Sequence, residues 1–149
     1  MLTELCQYLK NWFDRDKPKF YGKFEIVDGK ISSFNDGDMG MIIGQFFCIH
    51  GSLLNDGVHC YTEELQLVDE TFDGSVWFMA IPPAVVSLAA DIEAWRAKYE
   101  AVDSAAMSPF NSESFGGYSY SKSGGGSSDE LAGTWQGVFA SRLNPWRKL

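Results

Sequence analysis

Four residues near the middle of the chain, Cys48, His50, His59 and Cys60, are of the types that hold a metal ion or pair a nucleophile with its base. Their spacing argues against both. In an extended segment Cys48 and His50 share one face, whereas His59 and Cys60 point to opposite faces. Neither pair has the two-residue separation of a zinc knuckle. A Cys48–His59 nucleophile pair lacks any residue marking an oriented base or an oxyanion site. Asp36-Gly37-Asp38 and Asp69-Glu70 offer oxygen ligands, but the alternating ligands and closing Glu of a calcium loop are missing. Gly124-Gly125-Gly126 is not followed by Lys-Ser/Thr, and Ser114-Phe115-Gly116-Gly117 does not match a nucleophile elbow. These segments read as sheet residues and solvated turns. No metal, cofactor or catalytic residue is assigned, and a non-enzymatic protein is expected.

Contact chemistry is better represented. Residues 108–121 read Ser-Pro-Phe-Asn-Ser-Glu-Ser-Phe-Gly-Gly-Tyr-Ser-Tyr-Ser. Tyr118 and Tyr120 share a face if extended, the serines supply hydroxyls, and Gly116-Gly117 permits a tight turn. Such a stretch is either an arm that binds another protein or a loop pinned to its own domain by its aromatics.

The elements that position these residues follow from composition and periodicity. The chain has 149 residues and 16.6 kDa, enough for one domain, or one domain with an appendage. Hydrophobic residues make up 45%, which excludes a wholly disordered chain. Net charge is −8 and the pI about 4.6, a poor match to nucleic-acid or anionic-membrane binding. The charge is segregated. From Ile31 to Trp95 there is no Lys or Arg, but ten acids: Asp36, Asp38, Asp56, Glu63, Glu64, Asp69, Glu70, Asp73, Asp91 and Glu93. Arg142 to Leu149 carries three basic residues and no acid. A tail that docks on another subunit can use such segregation. Met1 to Phe13 is amphipathic rather than a signal-peptide core, and no apolar run spans a membrane. With three widely spaced cysteines, Cys6, Cys48 and Cys60, a cytosolic chain with reduced thiols is expected.

Leu2, Leu5, Cys6, Leu9, Trp12 and Phe13 predict a helix over 3–14 with Thr3 as N-cap. Residues 20–80 read as β-rich. Phe20 to Ile26 alternates into the turn Val27-Asp28-Gly29-Lys30, Met41 to Ile49 reads as a strand kinked at Gly44, Val58 to Tyr61 pairs back, and Ser75 to Ala80 is the last strand. Pro82-Pro83 opens a helix over 83–106 with the stripe Val85, Leu88, Ile92, Trp95, Tyr99 and Val102. Residues 107–128 form a Ser/Gly-rich arm, and residues 129–149 a helix and tail behind the capping box Ser127–Glu130. The expected fold is α+β. It combines a small helical bundle around the helix at 83–106, a β-rich hairpin subdomain over 20–80, and an extended C-terminal arm with a short helix. Residues 1–106 form the body, 107–128 the arm and 129–149 the docking tail.

The helix ending Trp95-x-x-x-Tyr99, then Ser-Glu-Ser-Phe-Gly-Gly-Tyr-Ser-Tyr over 112–120, then Asn-Pro-Trp-Arg-Lys over 144–148, resembles the head–tail connector (adaptor) proteins of long-tailed bacteriophages and prophages of Gram-positive hosts. Gly44 to Tyr61 and Val76 to Tyr99, with Ile-Pro-Pro-Ala-Val, are similar to a subgroup of such proteins. The likeness covers most of the chain from Gly44. Most connectors are largely helical, whereas residues 20–80 here read as β. The resemblance implies a structural virion protein at the neck, assembled in the host cytoplasm. It implies a homo-oligomeric ring, usually a dodecamer, that binds the portal protein above and a stopper or tail-completion protein below. Genomic DNA would pass through its channel without specific binding, and no membrane is involved. Ring contacts would fall on Ser112, Glu113, Phe115, Gly116, Gly117, Tyr118 and Tyr120. Portal docking would fall on Trp135, Phe139, Arg142, Trp146, Arg147, Lys148 and Leu149. Two alternatives remain at this point: the stopper or another neck or tail-completion protein, and a non-enzymatic ligand-binding β module gripping its ligand through the Phe46–His59 region.

Overall fold

The computed structural model describes residues 1–100, the backbones of residues 112–115 and 118–121, and residues 133–148. The chain divides into two compact units. A sheet unit spans Trp12–Ile81, and a terminal unit combines Met1–Asn11 with Pro82–Leu149.

Five strands make the sheet unit: β1 (Lys19–Val27), β2 (Lys30–Ser33), β3 (Phe46–His50), β4 (Gly57–Cys60) and β5 (Glu70–Met79). Their order is β2-β1-β5-β3-β4, antiparallel throughout, in a curled half-barrel. The β1–β2 hairpin turns where the sequence places it. Asp28 (φ 50°) and Gly29 (φ 73°) take the two left-handed positions of a type I′ turn, and Val27 pairs with Lys30. β5 is long because it serves two neighbours. Glu70 to Trp77 pair with β1, and Ser75 to Met79 with β3.

Side-chain alternation then builds one core. Phe24 and Ile26 of β1, Phe47 and Ile49 of β3, and Phe72, Val76 and Phe78 of β5 gather with Met39 and Leu67 from the loops. Phe24 stacks on Phe72 with centroids 5.2 Å apart. Full burial of each such side chain contributes roughly 1.5–3 kcal/mol. The curl has a specific site. Gly22 pairs with Gly74, and Gly51 follows the last β3 pair, His50–Ser75, so three glycines lie in a row across the central strands. A Cβ on Gly74 would sit 2.0 Å from the His50 carbonyl oxygen, and one on Gly51 2.8 Å from the Asp73 oxygen. Only bare backbone permits that approach.

The terminal unit holds α1 (Leu2–Leu9), α2 (Pro83–Tyr99), β6 (Ser112–Phe115), β7 (Tyr118–Ser121), α3 (Trp135–Val138), α4 (Ala140–Leu143) and a 3₁₀ turn at Asn144–Trp146. The stripe on α2 is buried as its spacing predicts, at Val85, Leu88, Ile92, Trp95 and Tyr99. Arg96 ties α2 to α1, donating to Glu4 and to Glu100 at 2.6 Å each. The contact with Glu100, then that with Glu4, raises its pKa above the ordinary value. Among the paired strands β6 and β7 form a hairpin in which Phe115 opposes Tyr118.

The small helical bundle around a long helix is not what the chain forms. The architecture is a curled five-stranded antiparallel half-barrel with a few short helices. Of the helices, α2 has 17 residues, and α1, α3 and α4 have only 8, 4 and 4, too little apolar face for a bundle. α2 ends at Tyr99 with Glu100 as its cap, and residues 101–106 of the expected helix lie outside the described residues. α1 stops at Leu9 because Lys10 turns left-handed (φ 52°), its N–H and that of Asn11 closing onto Gln7 and Cys6. Trp12 and Phe13 therefore leave the helix, and Met1 rather than Thr3 is its N-cap. The expected C-terminal helix is broken at Phe139 into α3 and α4, with Thr134 capping α3. The strand expected from Met41 begins only at Phe46. Gly44 (φ 86°) and Gln45 close a turn there instead, and Ile42 and Ile43 face solvent. The capping box Ser127–Glu130 lies outside the described residues.

Candidate functional site

Side chains able to do chemistry are dispersed by the sheet. His59 stacks on Phe47 at 5.5 Å, and its Nε2 lies 2.7 Å from the Asn55 carbonyl oxygen. His50 lies on the other face, between Trp12 (5.4 Å) and Trp77 (4.4 Å). Lys19 covers Trp77 from above at 4.4 Å and pairs with Asp14, whose hydrogen bond raises its pKa. Cys48 is buried. Among the described residues no three His, Cys, Asp or Glu side chains meet in a way that could hold a metal ion. An open cleft of about 350 Å³ is lined by Lys30, Ile31, Ser32, Asp38, Met41 and Tyr61. It brings one lysine and one carboxylate to an apolar floor.

The expected contact residues fall in two groups. Ser112, Glu113, Phe115, Tyr118 and Tyr120 lie on the β6–β7 hairpin, described as backbone, where Glu113 opposes Tyr120. Gly116 and Gly117 lie outside the described residues, as does Leu149. In the tail, Trp135 and Phe139 are buried inside the terminal unit, against Tyr8 at 5.1 Å and Trp95 at 6.4 Å. Arg142 pairs with Asp91 of α2 at 2.7 Å. Trp146, Arg147 and Lys148 end on α1. Asn11 Nδ2 donates to the Trp146 carbonyl at 3.0 Å, the Lys148 N–H donates to the Leu9 carbonyl at 3.0 Å, and the Arg147 guanidinium stacks over Tyr8 at 4.7 Å. Three exposed cations result, Lys10, Arg147 and Lys148, collected from the two ends of the chain. None of them forms an ion pair with a described residue.

The most organised surface was not visible in the sequence. Residues 51–56, between β3 and β4, project Leu53 into solvent at 89% exposure and Leu54 at 56%, beside Val68 at 54%. Two apolar tips held so far out are not left by a floppy loop. The half-buried Glu70 carboxylate at the start of β5 accepts four hydrogen bonds from it: Ser52 Oγ (2.5 Å), Leu53 N (2.8 Å), Asn55 Nδ2 (3.0 Å) and Leu54 N (3.3 Å). The first of these does most to hold the Glu70 pKa below its ordinary value, with the two backbone N–H groups and Asn55 adding to it. Buried Asn55 also grips the next loop in both directions, accepting from Val68 N (2.8 Å) and donating to Val68 O (2.9 Å). Asp56 accepts from Gly51 N at 2.8 Å, and Asp69 accepts from Asp28 N at 2.9 Å. The loops tied together here carry the acids Asp28, Asp56 and Asp69, and none of these carboxylates is ion-paired with a described residue. The one available signal was Leu53-Leu54 between turn residues, which fits neither helical nor strand periodicity.

No family model, curated protein or solved structure matches the chain. No described helix is long and apolar enough to cross a membrane.

Proposed function

We propose that this is a non-enzymatic structural protein that assembles with copies of itself, and that it serves as a head–tail connector at the neck of a phage virion. In that reading it forms a ring, extends the DNA channel, and joins the portal to a stopper or tail-completion protein. The observation that carries the self-assembling part is a pair of unlike surfaces, one apolar beside acids and one cationic. The sheet unit bears an exposed apolar loop tied to segments that carry Asp28, Asp56 and Asp69, and the terminal unit bears the cations Lys10, Arg147 and Lys148 where the tail is pinned on α1. A heterologous ring needs two different, complementary surfaces on each subunit. The connector part rests on the resemblance of residues 95–99, 112–120 and 144–148. Acidity of the body suits a channel wall, which must repel phosphate so that DNA slides without sticking.

Negative-stain microscopy of the purified protein over rising concentration tests the reading. Rings of uniform diameter are expected. A monodisperse monomer throughout would refute it. A portal and a major capsid gene just upstream of its reading frame would support the connector assignment, and an unrelated neighbourhood would remove it.

A further inference from the structure

We infer that the Leu53–Leu54 loop of one copy docks on the basic, aromatic tip of a second copy, formed by Lys10, Arg147 and Lys148 around Tyr8 and Trp146. The inference rests on the self-assembly reading above and names its two surfaces. Three observations bear it. The leucines are apolar and exposed, yet their loop is held by a buried asparagine and a four-fold hydrogen-bonded carboxylate, so little ordering entropy remains to be lost on docking. The tip is pinned just as firmly, by the Asn11–Trp146 and Lys148–Leu9 hydrogen bonds and the Arg147–Tyr8 stack. Their chemistry matches: two exposed leucines on segments that carry Asp28, Asp56 and Asp69 on one side, and half-buried Tyr8 and Trp146 on segments that carry Lys10, Arg147 and Lys148 on the other.

Such a contact is central apolar burial within a charged rim, in which the centre supplies affinity and the rim supplies orientation and rate. Because the two surfaces differ, each copy uses one of each, and the contact propagates from copy to copy. It should also weaken as salt screens the rim.

Two variants test it, both at exposed or half-exposed positions so that folding is retained: Leu53→Ser with Leu54→Ser, and Arg147→Glu with Lys148→Glu. Their circular dichroism and melting midpoints should match those of the parent protein. In sedimentation velocity each should self-associate about 30-fold more weakly or worse. Mixed together, they should form a closed 1:1 heterodimer, because each supplies the surface the other lacks. If the parent protein itself is monomeric, both the self-assembly reading and this contact fall. If the parent assembles and the leucine variant assembles equally well, the contact alone is refuted. If both variants fail and their mixture also fails, the two surfaces do not meet, and the pairing is wrong.

Discussion

Removing the Asn55 side chain tests whether the leucine loop is held rigidly. Asn55 is 5% exposed and makes three side-chain hydrogen bonds: to Glu70 Oε2 at 3.0 Å, to Val68 O at 2.9 Å, and from Val68 N at 2.8 Å. Each is worth roughly 0.5–1.5 kcal/mol net, and the Val68 groups lie near enough to solvent for water to recover part. Asn55→Ala should therefore cost about 2–4 kcal/mol, read as a shift of the urea midpoint at unchanged m-value. Amide exchange should accelerate at Val68 and Leu53. Asn55→Asp is the sharper control. It sets a carboxylate against Glu70 and the Val68 carbonyl, so at neutral pH it should cost more than the alanine variant, and acidification should narrow the gap as the pair takes up a proton. The parent protein should respond with the opposite sign. The Glu70 pKa is lowered in the folded state, so its contribution is present above the ordinary value of 4.5 and is lost as pH falls through the folded value. An alanine variant within about 0.5 kcal/mol of the parent would show that water replaces the network and that the loop is not pinned by it.

Gly74→Ala should cost about 4 kcal/mol or prevent folding of the sheet unit, because the new methyl meets the His50 carbonyl at 2.0 Å; a soluble, cooperatively melting variant with parental midpoint would refute the close approach. Trp95→Ala should destabilise by about 3–5 kcal/mol, since the ring is 4% exposed and packs on Tyr99 and Phe139; an unchanged urea midpoint would show that it carries no core role. The Cys6 thiol is pushed up to about 11 by burial, so at pH 8 a maleimide should label Cys60 first and Cys6 only as the protein opens. Because the folded Cys6 pKa lies above its unfolded value of 9.0, that thiol's contribution is complete below pH 9 and is lost as pH rises toward 11; equal labelling of both thiols in the folded protein would refute its burial.

Part of what depends on neighbouring residues was legible in the chain itself. The Asp28-Gly29 turn follows from two residues that tolerate left-handed backbone, and the buried face of α2 follows from a stripe spaced three and four residues apart. The acidic body and basic tail are read by counting. Apolar periodicity alone did not show where a local turn interrupts it. Trp12 and Phe13 continue a helical stripe, yet left-handed Lys10 ends α1 and Trp12 meets His50 edge-on. Met41 to Gln45 is as apolar as a strand, yet β4 is satisfied by Phe46 onward and leaves Ile42 and Ile43 outside.

The sequence by itself determined the Asp28-Gly29 turn, which face of α2 is apolar, and how charge is distributed along the chain. Only the tertiary structure decided what those features are used for. Pairing of β5 with both β1 and β3 joins residues some 20 to 60 positions apart, and it selects a half-barrel over a bundle. Glu70 becomes the anchor of the leucine loop only because β5 starts beside it, 17 residues from Leu53. Lys10 and Arg147 become one cationic surface only because the tail returns to α1. Local dihedral preference acts over three or four residues. Burial, register and the meeting of charges are set by contacts whose partners are distant in sequence, and no local pattern encodes which partner is met.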